Sequence, residues 1–149
     1  MEEILYSETY QITGNDYERG GEAATQVKMV LKELGIDPAA IRRLSIANFE
    51  AEMNVIMYAL HGELRLQVLP DVVRVVVEDR GQGIPDIGLA MQEGYSTATP
   101  EMRQRGFGAG LGLPNIRKNT DEFEIRSTPG VGTTLRYGVR VAGGEAGGA

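Results

Sequence analysis

Glu50 and Asn54 lie four residues apart in FEAEMNVIMYA (49–59), a carboxylate and an amide among apolar neighbours. On a helix that interval stacks the two side chains on one face. A pair lining a pocket and a boundary pair capped by its neighbours would read alike, so these two residues alone do not decide the chemistry. Asp79 raises a second question. In VVRVVVED (72–79) it shares strand parity with Val73, Val75 and Val77, opposite Arg74 and Glu78, which sets a carboxylate at the end of a dry row where it needs a donor. Thr133 has the same parity as Leu135, Tyr137 and Val139, so a hydroxyl also faces inward. Two glycine clusters, DRGQGIP (79–85) and GFGAGLGLP (106–114), bring backbone flexibility to the same set. Glycine lets the main chain approach a ligand closely, although a glycine-rich loop can equally be a tight turn. The second cluster runs into a helix start at Leu113 and Pro114, where unpaired N–H groups and the helix dipole favour an anion such as phosphate. No GK dipeptide occurs, and GFGAGLG does not fit GxGxxG, so the P-loop and dinucleotide fingerprints are absent.

The elements that must hold these residues follow from periodicity. ILYSETYQI, rich in β-branched and aromatic residues and stopped by Gly14, predicts a strand. NDYERGGEAATQVKMVLKELG predicts a helix with Val27, Val30, Leu31 and Leu34 on its apolar face and Gly35 as its stop. Asp37 and Pro38 supply the N-cap and first position of a second helix running to about Leu60, with Ile46, Phe49, Met53, Ile56 and Leu60 as its dry stripe. Glu50 and Asn54 then border the core, Glu52 points to solvent, and His61 falls in a loop at the helix end. ELRLQVL and VVRVVVED, joined by Pro70 and Asp71, predict an antiparallel hairpin. A glycine turn and a short helix come next, then a breaker-rich stretch, YSTATPEMRQRGFGAGLG, long enough to be a lid. A helix from Pro114 and two last strands around TPGVG complete the order. No internal repeat is present, and the domain is expected to span residues 1–141, with 142–149 a frayed Gly/Ala tail.

At 149 residues, 42% hydrophobic and 24% charged, the chain fits one ordinary domain. Its net charge of −6 disfavours a nucleic-acid backbone as partner, while the absence of cysteine and the single histidine, His61, leave no thiolate or zinc centre. Any metal must be held by oxygens. No apolar run approaches the roughly 20 residues of a bilayer span, and the acidic N-terminus is no signal peptide, so the expectation is a cytoplasmic protein without membrane contact.

In order and spacing, ExxxN at Glu50 and Asn54, DxGxG at Asp79, Gly81 and Gly83, GxGLGL from Gly108 to Leu113, and GVGTT at 130–134 resemble the nucleotide site of the GHKL, or Bergerat-fold, ATPases. That superfamily joins gyrase, the heat-shock chaperone, histidine kinases and mismatch-repair ATPases, and the resemblance runs from about Asp37 to Val141. EDRGQGIPD, GYSTATPE and TDEFEIRSTPGVGTT look most like the bacterial anti-sigma serine kinases and the switch kinases of stress-response modules. The resemblance implies an α+β fold, a two-layer sandwich with a mixed, mostly antiparallel sheet and helices on one face. It also implies ATP and Mg²⁺ as cofactors. Glu50 would be the general base and Asn54 the Mg²⁺ ligand. Asp79 would accept from the adenine amino group beside Gly81, Gly83 and Thr133. Gly106, Gly108, Gly110, Leu111 and Gly112 would wrap the triphosphate, with Arg105 a further nucleotide contact. Arg103 and Arg105 would reach the γ-phosphate or an acidic partner, or simply be solvated. Tyr58, where many anti-sigma kinases have histidine, looks like the switch-kinase branch, or is only a packed aromatic.

The expected activity is ATP-dependent phosphorylation of a serine or threonine on an anti-sigma-antagonist-like protein in a partner-switching circuit, by a chain compatible with a homodimer. One rival is a nucleotide-gated anti-sigma factor that binds a sigma subunit with little catalysis. Another, the ATPase half of a sensor histidine kinase, has only His61 to offer as phosphoacceptor and no preceding dimerisation segment.

Overall fold

A computed structural model of the chain describes residues 3–92 and 112–141. Within them, Tyr6–Thr13 forms β1, a single 3₁₀ turn covers Tyr17–Arg19, and Glu22–Glu33 and Pro38–Tyr58 form α1 and α2. Ala59–Val68 and Val72–Gly81 are β2 and β3, Ile87–Ala90 is the short α3, Gly112–Lys118 is α4, and Glu122–Thr128 and Gly132–Arg140 are β4 and β5. The five strands lie in the order β1-β2-β3-β5-β4, and each of the four pairings is antiparallel, so the mixed sheet expected above is antiparallel throughout the described residues. The α+β sandwich itself is as expected.

Strand parity sets the core. Leu64, Leu66 and Val68, then Val73, Val75 and Val77, then Leu135, Tyr137 and Val139 are all buried on the helical face of the sheet. Each such side chain contributes roughly 1.5–3 kcal/mol on leaving water. The helix α2 packs across β1, β2, β3 and β5, while α1 and α4 flank it. The opposite face carries charged pairs, Arg65 with Glu78 and Arg74 with Glu122, each at 3.4 Å.

The dry stripe of α2 differs from the expected one. Ile46 and Phe49 are each 40% exposed, and Leu60 is 78% exposed on β2, beyond the helix end at Tyr58. The buried residues are Ala40, Ile41, Leu44, Ala47, Asn48, Ala51, Glu52 and Val55, together with Met53 and Ile56 from the expected set. Alanine has little apolar area, so a reading by large side chains passes over it, yet its small size lets the helix backbone approach the sheet closely. The buried face is therefore turned away from Ile46 and Phe49. His61 lies in β2, opposite Thr13 and Arg80, rather than in a loop. Gly20 and Gly21 separate the 3₁₀ turn from α1, which begins later than the periodicity suggested, and Leu34 is exposed at its end.

Candidate functional site

Glu50 and Asn54 share a face of α2, both half-buried, about 6 Å apart along the axis for four residues of rise. The start of α4 closes on them. A Cβ on Gly112 would sit 3.3 Å from Asn54 Oδ1 and 3.8 Å from Glu50 Oε1, so the glycine leaves room beside both groups that other residues would occupy. From the same helix, Asn115 Nδ2 donates to Glu50 Oε2 at 2.9 Å, fixing the carboxylate's direction. Asn115 was not among the sequence candidates. Its signal was its place one residue after Pro114, on the helix that the glycine run leads into.

Asp79 lies beyond the C-terminal end of the Glu50–Asn54 face. It pairs with Gly62, and a Cβ there would meet Val55 Cγ1 at 3.0 Å and Asp79 Cβ at 3.2 Å. The expected donor for Asp79 is the backbone N–H of Thr133, at 3.1 Å from Oδ1. Burial still raises the pKa of Asp79 above the ordinary aspartate value, opposed by that hydrogen bond. The second carboxylate oxygen has no partner in any described hydrogen bond, which leaves acceptor capacity for a ligand.

Thr133 is held by its cross-strand partner Ser127, with the two hydroxyl oxygens 2.8 Å apart. The Ser127 hydroxyl donates to the Gly132 carbonyl at 3.1 Å and accepts from the Ile84 N–H at 2.7 Å. When the Ser127 proton lies on the Gly132 carbonyl, Thr133 supplies the proton between the two hydroxyls and keeps lone pairs to spare. Ser127 was also missed, although the register of the TPGVG hairpin would have placed it opposite Thr133. Gly83 adopts φ +74°, and a Cβ there would run into the Thr128 carbonyl and stand 2.8 Å from Pro129 Cα. Its glycine is thus required by the close approach to the β4–β5 turn. Gly81 packs over the junction of Tyr58 and Ala59, where Tyr58 is half-buried.

The structure therefore gathers Glu50, Asn54, Gly112 and Asn115 at one place, and Asp79, Gly81, Gly83 and Thr133 at another nearer the end of the same helix. Arg103, Arg105, Gly106, Gly108, Gly110 and Leu111 lie outside the described residues.

Glu52, expected to face solvent, is 2% exposed. Its Oε2 accepts from the N–H groups of Gly21 and Ala23 at 3.1 Å each, and its Oε1 from Ala24 at 2.9 Å. The N-cap of α1 is Gly21, which has no side chain to satisfy these donors, so Glu52 caps α1 from another helix and meets its dipole. The Gly-Gly pair before α1 was the available signal, because it left the donors without a local acceptor. Burial nonetheless raises the Glu52 pKa above the ordinary glutamate value, more than the three hydrogen bonds lower it. One turn back, Asn48 Oδ1 accepts from the Tyr137 hydroxyl at 2.6 Å, a buried bond joining α2 to β5.

The chain is 34% identical over 119 residues to the serine/threonine-protein kinase RsbT of Bacillus subtilis, covering 76% of this chain and 84% of that one. It is 33% identical over 108 residues to an anti-sigma F factor of Caldanaerobacter subterraneus subsp. tengcongensis, covering 68% and 72%. An anti-sigma F factor of Thermoanaerobacter sp. is 32% identical with the same coverage. The family model described as histidine kinase-, DNA gyrase B-, and HSP90-like ATPase matches residues 39–142, which takes in α2, the β2–β3 hairpin, α4 and the β4–β5 hairpin. The chain belongs to that ATPase family.

Proposed function

We propose that this protein binds ATP with Mg²⁺ and transfers the γ-phosphoryl group to a serine or threonine of a regulatory protein, an anti-sigma-antagonist-like partner in a switching circuit. The observation that carries this reading is the setting of Glu50, a carboxylate aimed by Asn115, beside the gap at Gly112 and one helical turn from Asn54. In that position Glu50 accepts the proton of the acceptor hydroxyl as its oxygen bonds to the γ-phosphorus and the bond from that phosphorus to the β–γ bridging oxygen breaks, releasing ADP. Asp79 and Thr133 hold the adenine end, and Gly112 lets the phosphates lie against the start of α4. Asn54 would hold Mg²⁺ through its amide oxygen, a hard donor of the kind this ion prefers. The ion would supply positive charge to offset that of the phosphates. No helix among the described residues is long and apolar enough to cross a membrane, in keeping with a cytoplasmic place of action.

The kinship with proteins named anti-sigma F factor favours one second reading, nucleotide-gated sequestration of a sigma subunit. Radiolabelled ATP, the protein and the antagonist protein separate the two. Wild type should label the antagonist and Glu50→Ala should not, while a thermal shift with ATP and Mg²⁺ persists in both, reaching about 2.7 kcal/mol at a hundredfold excess over Kd. Unlabelled antagonist, with ATP-dependent capture of a sigma subunit that survives Glu50→Ala, would replace the kinase by the binding protein.

A further inference from the structure

On the solvent side of α1 and α2 lies a groove of about 690 Å³. Its apolar surface comes from Ile36, Ile46 and Phe49, its rim from Lys28, Lys32 and Arg42, and Glu50 stands at one end. The exposed Ile46 and Phe49 of α2 thus share one groove with Ile36 of the α1–α2 connection, rather than standing as isolated apolar residues. The three cations are exposed, and none forms an ion pair among the described residues. In a chain of net charge −6 this is a concentrated positive site. The stretch 93–111 carries two glutamates and two arginines, and residues 142–149 only one glutamate, so neither matches the rim in charge.

We propose that this groove seats the phosphoacceptor segment of the partner protein, a segment bearing apolar residues and carboxylates around its serine or threonine. The proposal rests on the kinase reading and adds the approach of the second substrate. A base must lie within hydrogen-bond reach of the hydroxyl it deprotonates, and Glu50 both lines the groove and accepts from Asn115 of α4. A chain lying along α2 with its apolar side chains on Ile46 and Phe49 brings its hydroxyl to the Glu50 carboxylate. Carboxylates on that segment meet Lys28, Lys32 and Arg42, which steer and register it. A nucleic-acid backbone suits the site poorly, since Glu50 would face its phosphates and the apolar floor would stay wet.

Two fluorescein-labelled peptides test the groove, each with one serine between leucines, one flanked by glutamates and the other by lysines. At low salt the glutamate peptide should bind wild type and weaken about tenfold or more in the K28E/K32E/R42E variant. The lysine peptide should show the reverse preference, and Phe49→Ala should weaken the glutamate peptide without altering the ATP thermal shift. Equal glutamate-peptide affinity in wild type and the charge-reversed variant would overturn the proposal. So would disulfide formation between Ser45→Cys and Thr97→Cys without peptide, or a sedimenting dimer broken by the charge reversal, which give the groove to the chain itself or to a second copy. The kinase reading fails separately. Peptide bound in the groove without phosphoryl transfer from ATP to any serine would remove the kinase and leave the groove, whereas transfer to the antagonist protein unaffected by K28E/K32E/R42E would remove the groove alone.

Discussion

Three carboxylates in the interior half of this protein serve three different ends, and their surroundings decide which. Glu50 is half-buried with one amide donor, Asp79 faces a single backbone N–H, and Glu52 receives three. Glu52 is the structural one. Replacing it by alanine strands buried donors at the head of α1 and should cost about 3 kcal/mol. For a chain of this size that lowers the melting temperature by about 10 °C, and an unchanged melt would show that water serves those groups as well. Its titration has a definite sign. Because burial raises its folded pKa, the protonated form is favoured in the folded state, so this contribution is fully present below the ordinary glutamate value and is lost as pH rises through the raised one. Asp79, also raised by burial, acts in the same direction. Asp121, held low first by the Arg43 guanidinium and then by the Arg140 N–H, acts oppositely, and its contribution is lost as pH falls through the depressed value. Thermal melts should therefore decline as pH rises above the ordinary carboxylate range, and Glu52→Gln should flatten part of that slope. An identical slope in the variant would mean that other groups set it.

At the level of elements, α2 is the organising piece, and its alanines are as consequential as its acids. Ala47 and Ala51 are fully buried beneath the sheet and fix how close the helix lies. Ala51→Leu should overpack this contact at about 1–3 kcal/mol, seen as a lower midpoint in urea with an unchanged slope; a neutral result would reveal slack between helix and sheet. The helix is also tied at its flank, where Arg43 donates to both Asp121 oxygens at 3.2 and 3.1 Å, anchoring it to the entry of β4. These features explain how far the sequence could be read. Strands were legible because alternation in VVRVVVED and TTLRYGVRV maps directly onto two faces, which also placed Asp79 and Thr133. The helix N-terminus at Asp37 and Pro38 was legible from local chemistry. The rotation of α2 was not, since Ile46 and Phe49 outweigh alanines in any reading of size although they cover a groove rather than a core. Glu52, Asn115 and Ser127 escaped for a different reason, as each finds its partner 28 residues or more away or through hairpin register, a relation that exists only once the chain has folded.

Across the whole molecule, one helix carries both ends of the site. Glu50 and Tyr58 are separated by eight residues of helical rise, about 12 Å, and Asp79 and Gly81 stand by the far end of that span. The nucleotide and the acceptor would therefore be measured against a single rigid ruler, with β3 and β5 holding the adenine end and α4 the other. The direction of the Ser127 proton has an effect at this scale. With Ser127 donating to Gly132, Asp79 and Thr133 among the described residues would present lone pairs to an incoming ring. A nucleobase presenting an exocyclic amine there would be welcomed, and one presenting a keto oxygen repelled. Competition between ATP and GTP should accordingly favour ATP by about ten- to a hundredfold, and Ser127→Ala, by freeing the threonine proton to turn outward, should narrow that preference. The choice of purine would then be written in the β4–β5 hairpin, by a serine that need not touch the base.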